Sequence, residues 1–194
     1  MAMTDIVYTL ALSAVRIASA PADFVPPDAV MAEPAGLLLS GAASAESIAA
    51  TKRSAAQTGW TDIVVTQAQS FQIVSGDRRV ATLVTGEATL APNVPGCFAA
   101  VVQGNRVALV PTIGQGEYET TSCDKPVAIG ILSPTEPVSI GAIFKSYSPN
   151  AEGLEPVALR WDASANTLSI DAAQSRKASL AGAQSIADMR RAVK

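Results

Sequence analysis

Two cysteines, Cys97 and Cys123, are the side chains with the clearest chemical potential in this sequence. Each stands beside a loop signal, Cys97 after Pro95-Gly96 and Cys123 before Asp124-Lys125-Pro126. Positions where strands meet loops favour a disulfide between two strands, and a disulfide indicates an oxidising compartment, either periplasmic or extracellular. The alternative is a pair of reduced cysteines in a cytoplasmic protein.

The sequence contains no histidine, and this absence excludes several kinds of catalysis. Ser-His-Asp and Cys-His nucleophiles both need an imidazole, as do histidine proton shuttles. Mixed Cys/His zinc sites are also excluded, because two cysteines cannot complete a tetrahedral shell. A nucleophilic Cys123 would depend on Lys125 to lower its pKa. We therefore predict no catalytic residue, no metal site and no cofactor.

The remaining chemical groups are carboxylates and one Ser-Lys pair. A strand predicted over residues 117–122 would point Glu117 and Glu119 to one face, where paired carboxylates could act as acid and base or hold a hard cation. A solvated edge strand explains them more simply. Lys145 next to Ser146 needs no histidine to form a nucleophile, but neighbouring residues of a strand point to opposite faces.

Exposed polar and aromatic residues near predicted loops are candidates for contact with a partner. A turn at Pro149-Asn150 explains the polar cluster around it. The candidate contact residues are Glu117, Tyr118, Glu119, Tyr147 and Asn150.

Composition limits the classes of partner. The net charge of the 194-residue chain is −3 and charged residues make up 16%, so no basic footprint for nucleic acid is evident. No stretch approaches the roughly 18 apolar residues of a transmembrane helix. Near the N-terminus, the flanks of an apolar run favour a first strand over residues 6–17 rather than a cleaved leader, which remains the alternative.

Local patterns predict a mainly antiparallel β protein. Ser44 caps a helix predicted over residues 45–58, which carries one large apolar residue, Ile48, and is expected on the surface of a sheet. In the hairpin around Gly76-Asp77, we expect Ile73 opposite Val80, and therefore Phe71 opposite Thr82.

Two later hairpins can also be assigned a register. Around Gly104-Asn105, Val102 should face Val107 and Ala100 should face Leu109, with both faces apolar, so this hairpin is expected in the middle of the fold. In the last hairpin, Trp161 should face Leu168, and Leu159 should face Ile170. Ser185 caps a short C-terminal helix.

The whole chain, 1–194, is predicted to be a single α+β domain. It is mainly antiparallel β, as a sandwich or partly closed barrel, with one mid-chain surface helix and a short C-terminal helix. A possible subdivision is a strand-plus-helix lead-in (1–59), a β core (60–173) and a C-terminal helix (174–194).

Two function classes fit these observations. The first is a non-catalytic extracytoplasmic binding protein, resembling an inhibitor, an immunity protein or an accessory subunit in its role, whose partner is another protein. The second is a structural subunit that associates with itself in a larger assembly, such as a phage-like particle or appendage. A histidine-independent hydrolase is a third and weaker hypothesis.

Overall fold

Ten strands and three α-helices make up the part of the chain that the computed structural model describes, residues 36–148 and 151–194. These residues belong to one compact unit. The strands are β1 (Leu37–Ala42), β2 (Thr61–Val65), β3 (Phe71–Ser75), β4 (Arg78–Ala91), β5 (Val94–Gln103), β6 (Arg106–Ile113), β7 (Ser122–Ser133), β8 (Val138–Ser148), β9 (Ala151–Asp162) and β10 (Thr167–Ile170). The helices are α1 (Ala45–Gln57), α2 (Ala172–Leu180) and α3 (Ile186–Ala192). The strand predicted over residues 6–17 lies outside the described residues.

The strands form two antiparallel sheets. The first has the order β1-β3-β4-β5-β6, with β2 paired to the second half of β4, and the second has the order β10-β9-β8-β7. Alternate residues of both sheets meet in one buried core that includes Leu83 and Val101 from the first sheet and Phe144 and Trp161 from the second. The fold is therefore a β sandwich and not a closed barrel, which confirms the predicted fold class.

Helix α1 covers the outer face of the first sheet. The Ser44 hydroxyl accepts a hydrogen bond from the backbone N–H of Ser47 at 3.2 Å, so the predicted N-cap is confirmed. Small side chains allow close packing, with Ala50 against the β4–β5–β6 surface and Ala55 beside Trp60.

Helices α2 and α3 cover the outer face of the second sheet, where Ala178 and Met189 pack on Ile143. Two glycines that face each other across β7 and β8, Gly130 and Gly141, let α3 approach. A Cβ at Gly130 would lie 2.6 Å from Ile186 and one at Gly141 would lie 3.1 Å from Met189. Larger residues at these positions would push the helix away from the sheet.

Two of the three predicted hairpin registers are confirmed. Val102 pairs with Val107 across the Gly104 turn, and Trp161 pairs with Leu168. The other predicted pairs of these hairpins, Ala100 with Leu109 and Leu159 with Ile170, are also present. The placement of the Gly104 hairpin is only half right: among the described strands, β5 lies between β4 and β6, whereas β6 is at the edge of the sheet.

The predicted register of the Gly76-Asp77 hairpin is wrong by one residue. Ile73 pairs with Ala81 and Phe71 pairs with Leu83, because the ladder shifts between Ile73 and Val74. This β-bulge leaves Val80 without an opposite residue, and sequence alternation carries no sign of such an insertion.

The strand predicted over residues 117–122 is also wrong. Gly116–Tyr118 forms a 3-10 helix, and β7 begins only at Ser122. Gly114 and Gly116 adopt φ values of 93° and 61°, which break an extended strand. Glu117 and Glu119 therefore do not share the face of a strand.

Candidate functional site

The Cys97–Cys123 disulfide joins β5 of the first sheet to β7 of the second, which confirms the predicted bond. The two Cα atoms are 5.6 Å apart, and both side chains are buried. Cys97 lies within β5 rather than at its end, because this strand already begins at Val94. The covalent link holds the two layers of the sandwich together and closes a loop that contains β6 and the 116–118 turn.

Near this loop, the edges of the two sheets border a surface depression that we call the seam cleft. One part, of about 580 Å³, is lined by β6, β10 and the 116–118 turn. A second part, of about 420 Å³, lies between the turn, β9 and α2. Glu117 and Tyr118 line both parts, so the two parts adjoin at these residues.

The larger part of the seam cleft is mainly apolar. Val110 and Pro111 of β6 form one wall, and Leu168 and Ile170 of β10 form the other. Both strands are sheet edges among the described strands. At one end of the cleft, Arg106 of β6 donates a hydrogen bond to the carbonyl of Ala165, in the turn that precedes β10, at 3.3 Å. The cleft therefore follows the open side of the sandwich.

The smaller part of the seam cleft carries charge. Arg176 of α2 forms an ion pair with Glu117 at 3.6 Å, and Glu155 of β9 lies in the same depression. Burial raises the pKa of Glu155, and this is opposed in part by a hydrogen bond from Ser179. Burial also raises the pKa of Tyr118. The polar end thus contains one carboxyl group, of Glu155, and a phenol, of Tyr118, that are only partly accessible to water, beside the exposed Glu117.

Hydrogen bonds to the edge of β9 position helix α2. Strand β10 pairs with only the last part of β9, and beyond it the backbone N–H of Ala158 donates to the Ser175 hydroxyl at 2.8 Å. The carbonyl of Ala158 accepts from the N–H of Asp171 at 2.8 Å, and Asp171 also caps α2. These bonds place α2 along the edge of β9, which brings Arg176 and Ser179 next to Glu155.

The structure brings some of the predicted contact residues together and separates others. Glu117 and Tyr118 line the seam cleft, whereas Glu119 follows them as an exposed residue that does not line it. Tyr147 lies on β8, 44% exposed, and does not line the cleft either. Asn150 lies outside the described residues.

Sequence reasoning missed Glu155 and Arg176. The sequence carries a signal for Glu155. Val157, Leu159 and Trp161 alternate along β9 with their side chains toward the core, and Glu155 occupies the preceding position of the same series. A carboxylate at an inward position of a strand marks an unusual environment. For Arg176 no local signal exists, because its position depends on how α2 packs beside a turn far away in the sequence.

The Lys145-Ser146 pair is divided between the two faces of β8. Lys145 forms ion pairs with Glu152 at 2.7 Å and Asp124 at 3.5 Å, while Ser146 is buried. Among residues 36–148 and 151–194 no three His, Cys, Asp or Glu side chains gather as they would around a metal ion. Within the same residues, no helix combines the length and apolarity needed to cross a bilayer.

Comparisons with known proteins give no relative. No family model, curated protein or solved structure matches this chain.

Proposed function

We propose that this chain is a non-catalytic binding protein of an oxidising compartment, and that its seam cleft receives a segment of a partner protein. The segment carries an apolar side chain next to a lysine or arginine. One observation supports this proposal most: the cleft joins an apolar wall to an end that contains more carboxylate than cationic charge.

The apolar part has the character of an anchor site. Its volume of about 580 Å³ falls within the common range for ligand pockets, of roughly 300–1,000 Å³. Protein interfaces usually depend on a few large side chains that fill such depressions. One apolar side chain between Val110 and Leu168 would exclude water from both sheet edges at once.

The polar end favours a cationic neighbour. Glu117 is already paired with Arg176, whereas Glu155 has no ion pair among the described residues. A partly buried carboxylate without a nearby cation is unfavourable, because burial removes the water molecules that stabilise the charge and no other charged group replaces them. A lysine or arginine of the partner would compensate that loss, so the site selects for positive charge next to the anchor.

The disulfide supports an extracytoplasmic location. Structural disulfides persist in secreted and periplasmic proteins and are rare in reducing compartments. Cys97 and Cys123 join separate sheets in the core, as expected for a structural bond rather than a redox-active pair.

Selection of peptides on the oxidised chain tests the proposal. We expect a displayed library of random 12-residue peptides to enrich sequences with an apolar residue close to Lys or Arg. The affinity of a selected peptide should fall at least tenfold in Ser169→Trp, which fills the cleft from an exposed position of its lining. Glu155→Gln should weaken it similarly, since a charged hydrogen bond contributes about 1.5–3 kcal/mol.

Glu119→Gln is the matched control, because Glu119 is exposed on the same turn but does not line the cleft. Enrichment without basic residues, unchanged affinity in Ser169→Trp, or no enrichment would each contradict the proposal.

Sedimentation velocity of the same sample distinguishes the alternative. Self-association through β1, an edge among the described strands with Leu38 exposed to 62%, would favour a structural subunit.

A further inference from the structure

A second depression, which we call the arginine cleft, lies on the opposite side of the first sheet from the core. It has a volume of about 460 Å³ and is bordered by α1 and by the ends of the β3–β4 and β5–β6 hairpins. Ala50 of α1 and Val102 of β5 are among its lining residues. The cleft shares no residue with the seam cleft.

Two arginines from separate elements line this cleft, Arg53 of α1 and Arg79 of β4. Within the described part of the chain, neither forms an ion pair or a side-chain hydrogen bond. Each guanidinium has five N–H donors in a planar arrangement that fits carboxylate or phosphate oxygens. Glu46 is the one carboxylate in the lining, so the cleft carries a net positive charge in a chain whose net charge is −3.

A chain of hydroxyl groups adds a further donor. Ser44 donates to Ser47 at 3.0 Å, and Ser47 donates to Thr82 at 3.2 Å. Thr82 is 2% exposed, and its own hydroxyl proton has no acceptor among the described residues. With Ser47 as its side-chain partner among the described residues, the Thr82 hydroxyl keeps hydrogen-bonding capacity for a group in the cleft that it lines.

We propose that the arginine cleft binds a small molecule with an oxyanion group, a phosphate ester or a carboxylate. Arg53 and Arg79 bind the anionic oxygens, and Thr82 donates to one of them. Glu46 accepts from a hydroxyl or ammonium group of the same ligand, which excludes ligands that are anionic throughout. This site is independent of the proposed protein partner at the seam cleft.

Titration with inorganic phosphate, with glycerol 3-phosphate and with glutamate, at constant ionic strength set by chloride, tests the proposal. Heteronuclear NMR should show saturable shifts at the amides of Gly104 and Asn105, which line the cleft. Stronger binding of glycerol 3-phosphate identifies a phosphate ester, and stronger binding of glutamate identifies a carboxylate. Arg53→Gln and Arg79→Gln should each raise the dissociation constant at least tenfold, as expected on loss of a charged hydrogen bond.

The neighbouring cations are matched controls, because Lys52→Gln and Arg78→Gln make the same change of charge outside the lining. They should alter the dissociation constant less than twofold. All four residues are exposed, so the variants are expected to fold, and their circular dichroism spectra verify it. Equal weakening in the controls, which would indicate attraction by overall charge, or shifts that do not saturate with any of the three compounds, would overturn the proposal.

Discussion

Glu155 is the residue whose ionisation most directly connects the seam cleft to stability. Its pKa is raised in the folded chain, mainly by burial. The folded state therefore resists ionisation more than the unfolded state does, and stability falls as the pH rises from the ordinary carboxyl range through the raised pKa. We expect Glu155→Gln to be more stable than the wild type at pH 7, and this difference to disappear below about pH 4, where both states bind the proton.

Urea unfolding between pH 4 and pH 8 measures this difference. Glu152→Gln is the control, because Glu152 is an exposed residue of the same strand that pairs with Lys145. Its removal should give no gain of stability at neutral pH. A Glu155→Gln variant that is less stable than the wild type at pH 7 would show that the carboxylate makes a favourable contact that outweighs its burial.

At the scale of elements, the attachment of α2 to β9 depends on Ser175. Its hydroxyl accepts the N–H of Ala158 at 2.8 Å, and the side chain is 1% exposed. Ser175→Ala leaves a buried N–H without an acceptor, so we expect a loss of about 1–3 kcal/mol in the free energy of unfolding. Ser169→Ala, at an exposed position of β10, should change stability by less than about 0.5 kcal/mol.

Urea unfolding also measures this pair of variants, and amide exchange localises the effect. Faster exchange of the Ala158 N–H in Ser175→Ala is expected even where global stability changes little. A loss of stability no larger than that of Ser169→Ala would mean that water replaces the hydroxyl at the edge of β9.

The sequence predicts a hairpin correctly where the alternation of side chains along the strands and the residues of the turn indicate the same register. Alternation and a two-residue glycine turn together determine the pairing of Val102 with Val107. Where a bulge intervenes, as at Val80, alternation alone leads to the wrong register. The sequence does not predict α2 as a helix separate from α3, because its buried face consists of Ser175 and Ala178, while its one large apolar residue, Leu180, is 84% exposed. The capping Asp171 was its available signal.

At the scale of the whole molecule, the sandwich could be predicted, but most of the seam cleft could not. Strands in which apolar and polar residues alternate give each sheet an apolar face, and the two apolar faces must pack against each other. The core around Trp161 therefore follows from the sequence. The cleft instead depends on which strands end at the sheet edges and on α2 lying beside β9. Glu117 and Tyr118 were predicted as contact residues for their chemistry, whereas Arg176 joins them only through tertiary packing.

The disulfide links global stability to the seam cleft. It joins strands of different sheets across a sequence separation of 26 residues, and the enclosed segment contains Glu117 and Tyr118. The chain-entropy relation gives about 3.5 kcal/mol for a loop of this length. We therefore expect the double variant Cys97→Ala/Cys123→Ala to unfold at lower urea concentration, with a free energy of unfolding lower by about that amount.

The same variant should bind a seam-cleft peptide more weakly, because the segment that carries Glu117 loses the covalent link through Cys123 to β5. Titration of the arginine cleft with glycerol 3-phosphate provides the internal control, because its two arginines, Arg53 and Arg79, lie outside the disulfide loop. Binding there should be unaffected under conditions where the variant is folded. Equal weakening at both sites would mean that the disulfide stabilises the sandwich as a whole. Unchanged peptide affinity, with the expected loss of stability, would mean that the 116–118 turn is ordered by Arg176 and the local backbone bonds alone.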